Sequence, residues 1–297
     1  MSQIRLYLES GKPEAFHIAS ILDPYFEEES ITSVLFESED DCRKWCYSIY
    51  VESDEQQHWE NDIRNRLGED CFGLAIKSEA IKDIDWVSET LKELSPVSAG
   101  RFFVHGSHDR SAAKTRRVPI EVDAGQAFGT GHHGTTAGCL DMLETCLRQS
   151  SGNLGLPRRA MDIGTGSGVL AIALAKVAHV PVLATDIDPV ATRVAKQNCI
   201  LNGVANHVRC ETATGFQHPI FKKFGKADLL FANILARPLE NLALPMKQHL
   251  TPEAQVILSG LLPRQRARIT AAYGRQNMVL EKSLIRDGWL TLLMRAF

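Results

Sequence analysis

Arg159-Ala-Met-Asp-Ile-Gly-Thr-Gly-Ser-Gly-Val-Leu-Ala-Ile-Ala-Leu-Ala-Lys176 is the stretch whose reading decides the fold. A short apolar run carrying Asp162 breaks into a loop with glycine at every second position, Gly164, Gly166 and Gly168, and passes straight into an alanine- and leucine-rich segment. That pattern predicts a strand, a tight turn and a helix start. Glycines there permit positive φ and let backbone N–H groups approach a ligand at the positive end of the helix. About twenty residues on, Val180-Pro-Val-Leu-Ala-Thr-Asp-Ile-Asp188 reads as a second buried strand ending in carboxylates, where a dinucleotide fold holds ribose hydroxyls. The pair points to a nucleotide-like cofactor.

The spacing G-x-G-x-G departs from the dinucleotide fingerprint G-x-G-x-x-G, and an acidic residue stands just before the loop. Both features tilt the reading toward S-adenosylmethionine, which has no pyrophosphate to cradle. Its amino group and sulfonium are positive, so a carboxylate before the glycines suits it.

Outward from this stretch, strands and helices alternate. Asp188 to Gly203 is a predicted helix with Pro189 near its start; His207–Glu211, Lys226–Asn233 and Gln255–Gly260 are predicted strands, with helices beginning near Arg237-Pro238 and Arg264. Met278–Ile285 and Trp289–Arg295 flank Asp287-Gly288 as an antiparallel hairpin. The expected fold class is α/β, a Rossmann-like methyltransferase domain with a mostly parallel sheet and an antiparallel last strand. Before it, Asp123 to Thr136 is dense in glycine and threonine and carries Phe128; it reads as a lid or ligand clamp ahead of a helix over Thr136–Gln149.

The first eighty residues read differently. A strand at Gln3–Glu9, a helix at Pro13–Glu29, strands at Ser33–Glu37 and Trp45–Val51, a helix announced by Ser53 and Gln56 as a capping box, and a strand at Leu74–Lys77 give the order βαββαβ. This is the ferredoxin-like arrangement, which by itself assigns no function. Trp45 and Tyr47 could stack bases, but the strand lacks the RNA-binding signature, so core or partner packing is the favoured reading. Three parts are expected: 1–83 ferredoxin-like, 84–117 a linker helix and connecting strand, and 118–297 the cofactor domain.

Composition excludes several classes. The chain has 297 residues, 44% hydrophobic and 23% charged, with a formal net charge of -3, so no global basic field draws it to nucleic acid. No apolar run reaches membrane-spanning length, and no signal peptide is evident. Seven cysteines without a C-x-x-C pair fit a reducing cytoplasm, and Cys139 and Cys146 share a helix face as core residues. His105 and His108 lack the companions of a metal site and read as solvated loop residues, while the basic run Arg110, Lys114, Arg116 and Arg117 is the best candidate for an anionic partner surface.

Together Ala127-Phe-Gly-Thr-Gly-His-His-Gly-Thr-Thr136, Asp162-Ile-Gly-Thr-Gly-Ser-Gly168, Thr185-Asp-Ile-Asp-Pro189, Asn233-Ile-Leu-Ala-Arg-Pro-Leu239 and Leu258-Ser-Gly-Leu-Leu262 resemble the PrmA family, the methyltransferases of ribosomal large-subunit protein L-eleven. The resemblance covers the C-terminal two thirds through motifs and the N-terminal unit, a substrate-recognition domain in that family, in outline. It implies S-adenosylmethionine held by Thr136, Gly164, Gly166, Asp186 and Asn233, with Asn233 and nearby carbonyls orienting the acceptor. It also implies transfer to lysine ε-amines and the N-terminal α-amine of that ribosomal protein; the residue reading adds neither metal, membrane nor direct nucleic-acid partner. His132 and Gly134 depart from the family's Thr and Pro. The rival readings are a methyltransferase acting on RNA or a small amine, and a cofactor-binding module without catalysis.

Overall fold

The computed structural model describes residues 3–29, 31, 33–37, 44–68, 74–80, 96–111, 113, 116–122, 133–149 and 156–297. Residues 85–94 of the expected linker, residues 38–41 between the second and third predicted strands, and residues 123–132 of the expected lid lie outside the described residues. The chain divides into two compact units, Met1–Trp86 and Val87–Phe297.

The first unit runs β1 (Gln3–Gly11), α1 (Lys12–Glu28), β2 (Ser33–Glu37), β3 (Lys44–Glu52), α2 (Gln56–Leu67) and β4 (Lys77–Ala80). Its antiparallel sheet has the order β2-β3-β1-β4, which is the ferredoxin-like arrangement. Ala15, Ile18, Ala19, Leu22 and Phe26 of α1 are all buried, as their helical spacing requires, and most of that stripe meets Leu6, Leu8, Tyr47 and Ile49 from the sheet. Tyr47 is 2% exposed and its hydroxyl donates to Asp23 at 2.8 Å, so its ring is closed to base stacking.

One local expectation needs correction. The last strand begins at Lys77, because Leu74 and Ile76 pack against the core from irregular backbone while Lys77 pairs with Tyr7 and Ala80 with Ile4. Ser53, the expected cap residue, begins a 3-10 turn over Ser53–Glu55 that leads into α2, and the Gln56 side-chain amide donates forward to Glu60 at 2.7 Å.

The second unit opens with a small sheet, β5 (Val97–Ala99), β6 (Phe102–His105) and β7 (Val118–Glu121), followed by α3 (His133–Gln149). Then come β8 (Ala160–Ile163), α4 (Val169–Ala178), β9 (Val182–Asp186), α5 (Pro189–Leu201), β10 (Val208–Thr212), α6 (Ile220–Phe224), β11 (Ala227–Asn233), α7 (Ala236–Gln248), β12 (Leu250–Leu261), α8 (Arg266–Gly274), β13 (Met278–Arg286) and β14 (Trp289–Ala296). The seven-stranded sheet has the order β10-β9-β8-β11-β12-β14-β13. Every pairing from β10 to β12 is parallel, and β14 runs antiparallel between β12 and β13.

Strands covered on both faces read as continuous apolar runs, and Leu229 to Ala232 are all buried for that reason. Their side chains alternate between two cores. Leu229 and Phe231 join α3 and α4, whereas Leu230 and Ala232 join α7 and α8. The strand order reverses between β8 and β11, and a sheet of this type binds its ligands at such a reversal, beyond the carboxyl ends of the strands.

Candidate functional site

At that reversal β8 runs into the glycine loop. Gly164, Gly166 and Gly168 have φ of 71°, 54° and 85°, a region costly for any residue with a Cβ. A Cβ at Gly164 would also stand 2.3 Å from Ile234 Cγ2. The loop is tied to β9: the Gly164 and Thr165 amides both donate to the Thr185 carbonyl, at 2.8 and 2.9 Å. The Gly166 amide donates to Asp186 Oδ2 at 2.8 Å, and the Asp188 amide donates to Asp186 Oδ1 at 3.1 Å. Asn198 of α5 donates to the Ser167 carbonyl from behind at 2.8 Å.

Asp186 therefore ends β9 half-buried, oriented by two backbone amides, with lone pairs left to accept hydroxyl groups. Beside it Ile187 is 69% exposed, an apolar side chain held out at the strand end. Asp162 behaves otherwise than its position before the loop suggests. It is 1% exposed, and its Oδ2 accepts from the Thr165 hydroxyl at 2.6 Å and the Ala171 amide at 3.2 Å. Its carboxyl holds the turn together. Burial pushes its pKa up to about 6, the Thr165 hydrogen bond opposes that rise, and the charge of Asp186 adds to it.

On the other side of the reversal, β11 ends at Asn233, paired in register with Ser259 of β12. The Asn233 side-chain amide donates to Thr135 Oγ1 at 3.3 Å, and Ser259 Oγ lies 3.4 Å from the Thr135 carbonyl and 2.9 Å from Thr291 Oγ1. Thr136, expected among the cofactor contacts, is 5% exposed one position further along α3, and the neighbouring Thr135 makes the hydrogen bond to Asn233. The two side chains stand about 100° apart around the helix, and nothing in the sequence marked Thr135 as the partner of Asn233. Ser259 and Thr291 carried no chemical signature either, since a buried hydroxyl in a strand is legible only through its partner.

The structure thus brings Gly166 to Asp186 and sets Gly164 against the residue after Asn233. Other candidates are absorbed elsewhere. His105 is 5% exposed and stacked near Phe103 with ring centroids 5.6 Å apart, so it is a packed residue rather than a solvated one. Of the basic run, Arg110 holds Glu121 and Arg117 donates to the Gly100 carbonyl. Among the described residues no group of three His, Cys, Asp or Glu could hold a metal ion, and no helix is long and apolar enough to cross a membrane.

This arrangement has relatives. The family model described as ribosomal protein L11 methyltransferase (PrmA) matches residues 15–296. The chain belongs to this family. Proteins named ribosomal protein L11 methyltransferase from Agrobacterium fabrum and Allorhizobium ampelinum are 44% and 46% identical to it, over 99% and 98% of the chain and 99% of each relative. The crystal structure of ribosomal protein L11 methylase from Lactobacillus delbrueckii subsp. bulgaricus is 28% identical, with a TM-score of 0.58 over 69% of this chain and all of that one.

A PrmA-family chain with this fold is an S-adenosylmethionine-dependent methyltransferase. The residues present fit that cofactor. A hydroxyl-accepting carboxylate, an exposed apolar side chain next to it and a loop that excludes side chains stand together at the strand ends.

Proposed function

We propose that this chain methylates amines of ribosomal protein L11, lysine ε-amines and/or the N-terminal α-amine, in the cytoplasm. The observation that carries the reading is the Asn233 corner: its amide is already held by Thr135, and the next residue closes on Gly164 of the cofactor loop. Asp186 accepts the ribose hydroxyls, Gly164 and Gly166 line the backbone cradle, and Thr136 at the start of α3 binds the cofactor from the lid side. With the Asn233 N–H donated to Thr135, its amide oxygen remains to accept from the substrate amine.

When bound, S-adenosylmethionine supplies a methyl group already activated by its sulfonium. The protein has only to present a neutral amine in line and exclude water, alignment effects that are together worth up to about 7–11 kcal/mol. A lysine with a pKa of about 10.4 is protonated at neutral pH, so its proton leaves to water before attack. Asn233 and the neighbouring carbonyls then hold the remaining N–H groups and aim the lone pair. The unit Met1–Trp86 recognises the ribosomal protein, and the part from residue 118 onward carries the chemistry.

Incubation with methyl-labelled S-adenosylmethionine and, separately, purified ribosomal protein, ribosomal RNA and small amines tests the reading. Label is expected in L11. Label confined to RNA or a small amine would transfer the assignment to that substrate, and cofactor binding without label anywhere would make the chain a binding module.

A further inference from the structure

We infer that Gly260 is a positioning residue for methyl transfer, acting through the Ile234 peptide; the inference rests on the role of the Asn233 corner proposed above. Gly260 has φ of +80°, and a Cβ built on it would lie 2.5 Å from the Ile234 carbonyl oxygen, 2.9 Å from its carbonyl carbon and 3.2 Å from its nitrogen. All three are backbone atoms, which cannot swing aside as the end of a side chain can. On the opposite flank, the Ile234 side chain fills the place of a Cβ at Gly164, at 2.3 Å.

Ile234 is therefore gripped between two strand ends, β12 behind and the glycine loop in front, each glycine leaving room for one part of it. The pairing of β12 with β14 slips between Leu258 and Leu261, and this irregularity brackets Gly260. A methyl group at position 260 would need the Ile234 peptide to retreat by several tenths of an ångström, toward a loop that has no space to receive it. Asn233, bonded to that peptide and paired with Ser259, would move with it. Displacements of about 1 Å cost in-line reactions on the order of 100-fold. Gly260 thus sets where the amide and carbonyls that hold the acceptor stand relative to the donor's loop.

The test compares Gly260→Ala with Gly203→Ala, which has φ of +70° and nothing within 4 Å of its added Cβ. The second variant carries similar backbone strain without a collision. For each, turnover on L11 at saturating cofactor, the calorimetric dissociation constant of S-adenosylmethionine, and the methyl NMR resonance of Ile234 are measured. Gly260→Ala is expected to lower turnover 10- to 100-fold, to keep the dissociation constant within about threefold and to shift the Ile234 resonance; Gly203→Ala keeps wild-type turnover and resonance.

Ile234→Ala, which introduces no collision, loosens the same peptide from the other side and is expected to lower turnover three- to tenfold; it decides the matter if Gly260→Ala does not fold. Wild-type turnover in both site variants, equal loss in Gly203→Ala, or a fall in cofactor affinity matching the fall in turnover would overturn the inference. Failure of the wild-type protein to label L11 would overturn the substrate assignment instead. In that case the Ile234 resonance still reports the displacement: a shift in Gly260→Ala and not in Gly203→Ala upholds it, and no shift ends it.

Discussion

At the scale of single residues, Asp162 and Asp186 are two carboxylates at adjacent strand ends with opposite employment. Asp162 is sealed at 1% exposure, and its pKa of about 6 lies above the ordinary carboxylate value of 3.8. Between those values the folded state holds the proton that the unfolded state has released. The stabilisation is therefore full below pH 3.8 and is lost as pH rises through about 6. Asp162→Asn removes this titration. The difference in melting temperature between variant and wild type should move in the variant's favour from pH 4.5 to pH 7.5, by an amount equivalent to roughly 2–3 kcal/mol; a constant difference across that range would contradict it. Asp186, half-buried with two amides on its oxygens, is the carboxylate proposed above to hold the cofactor. Asp186→Ala should weaken S-adenosylmethionine about 10-fold or more in calorimetry, as expected for lost hydrogen bonds to an ionised acceptor. Asn233→Ala should lower transfer at saturating cofactor about 100-fold, read in the labelled-methyl assay.

At the scale of elements, the seating of α3 determines whether Thr135 reaches Asn233. A Cβ at Gly138 would lie 2.3 Å from Thr291 Oγ1, and one at Gly134 would lie 2.7 Å from the Arg286 carbonyl oxygen. The helix therefore lies close on the β13–β14 hairpin through two residues one turn apart. This gives a physical sense to Gly134, where the family pattern has Pro: the position is pressed against the hairpin turn. Ion pairs brace the other end of the contact. Arg101 and Arg148 both hold Glu144, and the Arg101 hydrogen bond keeps that carboxyl below its usual range, while Arg286 joins Asp141 at 2.6 Å. Gly138→Val should wedge the helix away, lowering stability by about 1–3 kcal/mol as overpacking does, and turnover with it. Thermal denaturation alongside the transfer assay checks this; a stable variant with full turnover would show that α3 does not transmit its seating to the site.

At the scale of the whole molecule, the net charge of -3 conceals a strong asymmetry. Residues 1–86 carry twenty Asp and Glu against eight Lys and Arg, whereas residues 87–297 carry sixteen against twenty-five. An acidic unit attracts a basic protein substrate over a range set by ionic strength. Transfer to L11 should therefore lose kcat/KM as salt rises from 50 to 500 mM, while cofactor affinity changes little. The isolated unit Val87–Phe297, which has its own two cores, should still bind S-adenosylmethionine and lose most activity on the ribosomal protein. Full activity of that fragment would remove the N-terminal unit from substrate recognition.

The sequence by itself determined the alternation of strands and helices, the glycine loop, the carboxylate ending β9 and the Asn-Ile-Leu corner. Each of these is a local pattern: periodicity, turn chemistry and residue type act within a dozen neighbours. Only the tertiary structure decided that Thr135 meets Asn233, that Leu74 and Ile76 pack against the core without being strand, and that Gly260 lies against the Ile234 peptide. Those outcomes depend on which distant backbone arrives within a few ångströms. Contacts across 26 to 98 residues of chain leave no periodic trace, because they are set by how strands order themselves in the sheet and how closely helices seat upon it.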